Sequence, residues 1–421
     1  MFRTALLRKI TPLLGQSFIF QIIIQLINLT TGFFVVRMLN YKEYACYTIA
    51  NTFIGMMTVI SDGGITSNVM AQGGKVWKDK IALGNIFSTA YDLRKRMALL
   101  SLMISLPVLF VLLQKQNISL YYSLLVIICL IPIFFSSLSD NLLQVPLKLH
   151  KQIFVIQKNA LLVSAVRLLL LVLILFVFPL ASIILLITGL TRIYGNTQFR
   201  NFTKDLITLN HVIDPDVRKI LLKQMYRLLP GTIYYCFSGQ IAIWLMSFLG
   251  NNTSVASLGA IGRFSLMFSV FTILFGSVIT PQFSKINDDQ YLLRKQFLSV
   301  QLWMLLGGTF IFFIFYLFSD YFLLLLGPSY QQLNKELCWS IAASLLGISA
   351  GFSFSLFTAR GWSMFPIIPI LVNIVSLIAG ISFFQIQTLT GVLMMNAFVN
   401  LIQYAMNTLF CFYKIQKINH L

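Results

Sequence analysis

Arg263 is the residue whose surroundings most demand a chemical reason. Within the stretch GAIGRFSLMFSVFTILFGSVITPQFSK, from Gly259 to Lys285, it is the one charge before the terminal Lys285. Counting from Val255 at roughly 1.5 Å per helical residue, it lies about 12 Å into a hydrocarbon core about 30 Å thick. A guanidinium at that depth costs about 2.5 to 3.5 kcal/mol, so such a residue faces a bundle interior, a watery cavity or an anionic ligand. A planar group with paired donors and a permanent charge suits phosphate or carboxylate oxygens.

Uncharged polar residues recur at helical spacing in other apolar segments. Ser17, Gln21, Gln25, Asn28 and Gly32 fall on one helix face. Asn51, Gly55, Thr58 and Asp62 repeat the pattern in the next segment, and Tyr234, Tyr235, Ser238 and Gln240 offer a less regular set later, with Gly259 one turn before Arg263. Amides turned to lipid are costly, so one reading is that these segments line a common hydrophilic space, with Arg263 binding an anion. The other is that the amides hydrogen-bond neighbouring helices, at about 0.6 kcal/mol apiece. A further stripe of Asn396, Asn400, Gln403 and Asn407 has packing between helices as its simplest role.

Four more charges count as secondary. Asp62 and Asp140 lie near the inner ends of their segments, as helix-end carboxylates or, for Asp62, as a proton carrier. Arg167 lies about 10 Å from the inner boundary, where it can snorkel or pair with Asp140. Arg37 ends the first segment at the outer face.

These residues need long helices to hold them. Of 421 residues 58% are hydrophobic and 10% charged, and 38 are Phe. Apolar runs of about 20 residues recur along the whole chain, which indicates an all-α, polytopic membrane protein and excludes the alternating pattern of a β-barrel. Twelve spans are expected: 13 to 36, 44 to 61, 97 to 113, 121 to 139, 160 to 178, 180 to 195, 228 to 249, 255 to 280, 298 to 318, 337 to 359, 362 to 384 and 390 to 413. Of the 31 Lys and Arg, 25 fall in the termini and the loops after even-numbered spans, and four in the loops between. That bias places both termini in the cytoplasm and absorbs the net charge of +19 without invoking nucleic acid.

The longest loop, about Gly195 to Arg227, separates two sets of six spans, giving lobes 1–227 and 228–421. Both lobes begin alike. Leu6-Leu7-Arg8-Lys9 before Leu13-Leu14 matches Leu221-Leu222-Lys223-Gln224 before Leu228-Leu229, each a basic amphipathic approach along the inner surface into a first span.

Several chemistries are missing. His150, His211 and His420 form no metal-ligand spacing, the five Cys have no paired spacing, and there is no phosphate-binding GxxxxGK[ST] loop. No metal or cofactor is therefore expected. The short outer loops leave no room for a large external catalytic site, which argues against a polytopic polysaccharide polymerase and against an enzyme in general.

The Gly259–Lys285 stretch, the earlier Arg37-Met38-Leu39-Asn40-Tyr41-Lys42-Glu43-Tyr44 and the LLLLGPSYQ run from Leu323 to Gln331 resemble bacterial polysaccharide repeat-unit (O-antigen) flippases. That superfamily also holds multidrug exporters and lipid II flippases. The similarity runs through most of the chain, although Lys42 stands where such proteins often have Gly. The resemblance implies two six-helix lobes around a central cavity, alternating access, and an inner-membrane location. It also implies a substrate of oligosaccharide on undecaprenyl diphosphate, with membrane lipids and other polysaccharide assembly proteins as partners. On this expectation Arg263 meets the diphosphate, while the amides and Tyr234, Tyr235 and Trp244 meet sugars. A drug exporter of the same superfamily is the alternative, and it would want a deep carboxylate rather than a deep arginine.

Overall fold

The computed structural model describes residues 2–208, 213–268, 271–272, 275–284, 286, 289–362, 364–365 and 367–420; the side chains of 2–18, 227, 228, 235, 277, 278, 281, 419 and 420 lie outside that description. Among the described residues every regular element is helical. The first eight helices are α1 (Phe2–Met38), α2 (Tyr41–Asp62), α3 (Ile65–Gly73), α4 (Lys80–Lys115), α5 (Leu120–Leu149), α6 (Ile153–Leu175), α7 (Ala181–Thr203) and α8 (Pro215–Leu249). Then follow α9 (Asn252–Ile261), α10 (Thr280–Ser284), α11 (Gln290–Leu317), α12 (Ser319–Leu326), α13 (Asn334–Ala359), α14 (Ile367–Phe383) and α15 (Leu389–Gln416). Eight described helices (α1, α4, α5, α6, α8, α11, α13 and α15) are long and apolar enough to cross a membrane, and α14 is a shorter apolar helix.

Contacts divide the chain into two compact units, Met1–Ile241 and Ala242–Leu421, with the division inside α8. In the first, α3, α4, α5, α7 and the start of α8 meet around Ile65, Leu83, Phe87, Leu142, Phe199 and Met225. In the second, Phe275, Phe283, Leu293, Phe297, Phe352 and Phe357 form the core, and the rings of Phe275 and Phe352 stack at 3.9 Å.

The basic approaches at Leu6 and Leu221 are not separate surface helices: each belongs to one unbroken helix with the span that follows, α1 and α8. A second pair of matching features lies deeper in each unit. Asp79 caps α4 by accepting from the N–H groups of Ile81 and Ala82 at 2.9 and 3.1 Å, and Asp289 caps α11 by accepting from Tyr291 and Leu292 at 2.8 and 3.2 Å. Four and eight residues past each cap stand Leu83 and Phe87, or Leu293 and Phe297, all buried in their unit's core. Asn40 and Asn251 likewise cap α2 and α9, each through the N–H three residues on. Carboxylates and amides at these positions satisfy the free N–H groups of a helix start, so Asp79 and Asp289 are structural acids.

The expected continuous span from 255 to 280 is not one α-helix. α9 ends at Ile261, Gly262–Phe268 is a 3₁₀ helix, Phe275–Ile279 is a π-helix, and α10 follows. Gly262 and Gly276 are the weak points, since glycine holds a helix poorly and neither has a neighbouring atom within 4 Å of where a Cβ would stand. Such breaks inside an apolar segment cluster at functional positions.

Candidate functional site

Arg263 is the second residue of the 3₁₀ helix and is half-buried. Its neighbour Phe264 is fully buried and lies edge-on to Phe315 at 5.7 Å and Phe322 at 5.9 Å, while Phe268 meets Phe315 at 6.0 Å. Those rings anchor one side of the segment. Successive 3₁₀ residues point about 120° apart, so anchoring Phe264 turns Arg263 out of that aromatic cluster.

Beside this segment, within the second unit, is a cavity of about 440 Å³ lined by Ser265, Thr272, Ser344, Gly351, Ser355 and Asn400, among others. Ser265 Oγ and Ser344 Oγ share a hydrogen bond of 2.6 Å, which ties the 3₁₀ helix to α13. Arg263 is not part of the lining; Ser265, two residues on, is. The hydroxyl side of this cavity was legible but overlooked: Ser340, Ser344, Gly347, Gly351 and Ser355 recur along α13 at the same helical spacing as the amides of α1.

Two residues of the Asn stripe of α15 pack it against α13. Asn400 Nδ2 donates to Ala343 O at 2.9 Å and Asn407 Nδ2 to Ala350 O at 3.0 Å, so two amides seven residues apart meet two carbonyls seven residues apart on α13. Gln301, Ser353 and Tyr404 add a second polar tie, with Tyr404 Oη donating to Gln301 Oε1 at 2.7 Å and Gln301 Nε2 to Ser353 Oγ at 2.9 Å.

In the first unit, Arg167 Nη2 donates to Asn28 Oδ1 at 2.6 Å, joining α6 to the amide face of α1. Of the two roles open to Arg167, snorkelling or pairing with Asp140, the second is not formed: Asn28 accepts from the guanidinium, and Asp140 accepts from Asn196 Nδ2 at 2.6 Å. Gln21 and Gln25, on the same α1 face, are half-buried, whereas Asn51 and Gly55 on α2 are uncovered by protein, with open space beside Gly55. Ser17 has its side chain outside the described residues.

Asp62, the last residue of α2, is not an isolated carboxylate. It forms an ion pair of 3.3 Å with Arg94 Nη2 and accepts a hydrogen bond from the Thr66 hydroxyl, which itself accepts from Arg94 Nη1 at 3.3 Å. The Arg94 side chain is wholly covered, at 0% exposure, which is not how a residue of an inner loop behaves. By its place beside Asp92, Lys95 and Arg96, Arg94 falls among the 25 cations that the charge bias assigns to the termini and inner loops. A signal was present: Phe87, Ala90, Arg94, Ala98, Ser101 and Ser105 form one buried face of α4, and only Arg94 on it is charged. On the far side Asn196 holds Ser139 Oγ at 2.6 Å as well as Asp140, and Arg200 Nε donates to Asn196 Oδ1 at 3.0 Å.

On α8, Tyr234, Ser238 and Gln240 are half-buried; the Tyr235 side chain is outside the described residues. Gly259 is half-buried near the end of α9, one turn before Arg263, and Arg37 is exposed in the last turn of α1, where a cation complements the helix C-terminus.

No protein-family model matches the chain, and no curated protein matches it in sequence. Solved structures do match in fold. A lipid II flippase, MurJ, in an inward closed conformation superposes with a TM-score of 0.72 at 15% identity, over 95% of this chain and 89% of that one. A MATE protein in a bent conformation matches with a TM-score of 0.64 at 16% identity, over 96% and 94% of the two chains. An outward-facing multidrug resistance MATE family transporter of the MOP superfamily gives 0.62 at 14%, over 96% and 95%. The chain thus has the helical fold of these proteins along nearly its whole length.

Proposed function

We propose that this chain is a flippase that carries an oligosaccharide repeat unit on undecaprenyl diphosphate from the cytoplasmic to the outer leaflet of a bacterial inner membrane. In this reading twelve segments cross the bilayer, both termini are cytoplasmic, and lobes 1–227 and 228–421 alternate access to a central cavity. The observation that carries it is Arg263, a guanidinium set in a segment where the α-helix gives way to a 3₁₀ turn. A diphosphate crossing a region of low dielectric needs a permanent, multiply donating cation, and an interrupted helix supplies one without exposing it to lipid.

Likeness in fold to a lipid II flippase and to MATE transporters supports a translocating rather than a catalytic role. The amides of α1 and α2 and the tyrosine of α8 suit sugar hydroxyls and ring faces, and the polyprenyl tail stays in lipid. A drug exporter taking organic cations is the weaker alternative, because Asp62, which would receive a cation, is already compensated by Arg94. An inside-negative potential favours outward movement of the anion by about 2.3 kcal/mol per charge per 100 mV, which supplies a driving force without a dedicated proton carrier.

The test is a clean deletion. Lipid-linked oligosaccharide should accumulate on the cytoplasmic face and surface polysaccharide should disappear, with both restored by the gene in trans. Normal surface polysaccharide in the deletion strain overturns the proposal.

A further inference from the structure

A second cavity lies in the first unit, away from the amide faces of α1 and α2. It has a volume of about 680 Å³ and is enclosed by α4, α5, α7 and the chain that follows α7. Its base is apolar, formed by Phe87, Leu143 and Ile207, all buried. Its upper wall is cationic. Lys95 comes from α4, Arg200 from the last turn of α7 and Lys204 from the residue after it.

The charges do not cancel. The one carboxylate in the lining, Asp92, lies 3.2 Å from Arg96 with its Oδ2 otherwise buried without a hydrogen-bond partner, and Arg200 also has Asp140 within electrostatic reach. The exposed Lys95, Arg200 and Lys204 therefore leave the lining with an excess of positive charge. Arg200 is held at the wall by its Nε bond to Asn196, and the Lys95 ammonium sits 4.7 Å from the centre of the Tyr91 ring, which itself stacks on Phe87. The Ser88 hydroxyl, on the same wall, is buried without a hydrogen-bond partner. The excess of cations over carboxylates in one lining, with a buried hydroxyl beside them that is free to donate, suits an anionic oxygen as the missing group.

We infer that this cavity binds the phosphate of an anionic membrane phospholipid, with Lys95, Arg200 and Lys204 around the headgroup and acyl carbon on the Phe87–Leu143–Ile207 base. Two features favour lipid over a soluble phosphate. The hollow has an apolar base beside its cations, and Lys95 lies two residues before Met97, where the apolar part of α4 begins, near the level expected of a headgroup. Basic pockets between helices at the inner interface are a known physical solution for anionic headgroups. The inference rests on the proposal that the chain spans the membrane with these loops inside, but not on what it transports.

The experiment uses the full chain in phosphatidylcholine nanodiscs containing spin-labelled phosphatidylglycerol, and reads the immobilised lipid fraction. A Lys95→Gln, Arg200→Gln, Lys204→Gln variant should retain phosphatidylglycerol at least about fivefold more weakly, whereas a Lys75→Gln, Lys78→Gln, Lys80→Gln variant, which removes three cations outside the cavity, should match the parent. Both variants are checked for an unchanged melting midpoint; if the cavity triple melts early, Lys95→Gln alone, whose side chain is exposed, replaces it. Equal loss in both triples, or none in the cavity variant, overturns the inference. So does displacement of phosphatidylglycerol from the parent by millimolar inorganic phosphate, which would identify a soluble phosphate as the ligand. Because lipid retention is read without transport, failure of the flippase reading in the deletion strain leaves this result standing.

Discussion

Arg94 Nη2 lies 3.3 Å from Asp62 Oδ1, with the arginine side chain entirely covered by protein and the carboxylate about three-quarters covered. The pair fixes the end of α2 against the middle of α4, and Thr66 of α3 completes it through both partners. Two glycines make the geometry possible, since Gly63 and Gly64 take positive φ values of 48° and 84° and turn the chain sharply between Asp62 and α3.

Removing one member of such a pair strands the other. Arg94→Ala should therefore lower stability by about 3 to 5 kcal/mol, while Arg94→Met combined with Asp62→Asn should recover most of that loss, because the neutral pair no longer carries a buried charge. Unfolding by SDS titration from mixed micelles measures both. A single variant within about 1 kcal/mol of the parent would show that the ion pair is not structural.

Asn28 and Arg167 should be coupled in the same sense but more weakly. Their hydrogen bond of 2.6 Å joins α1 to α6. A double-mutant cycle with Asn28→Ala and Arg167→Ala should return a coupling of about 0.6 to 1.7 kcal/mol, the range of polar ties between membrane helices. Zero coupling would return Asn28 to the list of residues free to meet a substrate.

Gly84 and Gly55 make opposite predictions for the same substitution. A Cβ at Gly84 would lie 2.0 Å from Thr208 O, in the chain that follows α7, whereas one at Gly55 would meet nothing within 4 Å. Alanine gains about 1 kcal/mol in helix propensity at either site. At Gly84 the clash with backbone wins, so Gly84→Ala should destabilise by about 1 to 3 kcal/mol and make the chain near Thr208 sensitive to protease. Gly55→Ala should be neutral or slightly stabilising by SDS titration.

The helical class was legible because apolar runs of spanning length leave few other folds. Eight of the described helices, against the twelve spans expected, are long and apolar enough to cross a membrane, and α3 and α12 lie essentially outside the runs. Helices lie over those runs except at the eighth. That exception has a physical cause: hydropathy measures transfer to lipid and is blind to which hydrogen-bond ring a backbone closes, so Gly262 and Gly276 read as ordinary members of an apolar run. Arg94 was misplaced because a cluster of like charges hides the one member that points inward. The match of Asp79–Leu83–Phe87 with Asp289–Leu293–Phe297 was present in the sequence, yet it involves three residues spread over nine positions, and only their shared capping and burial make it stand out. Asn28 and Asn400 lie on equally regular stripes and both hold neighbouring helices, Asn400 while also lining the cavity beside α13, so spacing alone does not separate the two roles.

Arg263 is the position on which the proposed transport role rests. If its guanidinium meets a diphosphate, Arg263→Ala removes a charge-assisted contact worth about 1.5 to 3 kcal/mol, equivalent to roughly 10- to 150-fold in affinity, and export of surface polysaccharide should fall accordingly at equal protein level. Arg263→Lys keeps the charge but loses the planar, paired donors, so it should be intermediate. The alternative is that Arg263 merely holds the 3₁₀ segment in place. Melting separates the two roles, because a structural arginine would lower the midpoint of both variants in proportion to export, whereas a ligand-binding one should leave it unchanged. Export by Arg263→Ala equal to the parent removes the residue from the mechanism.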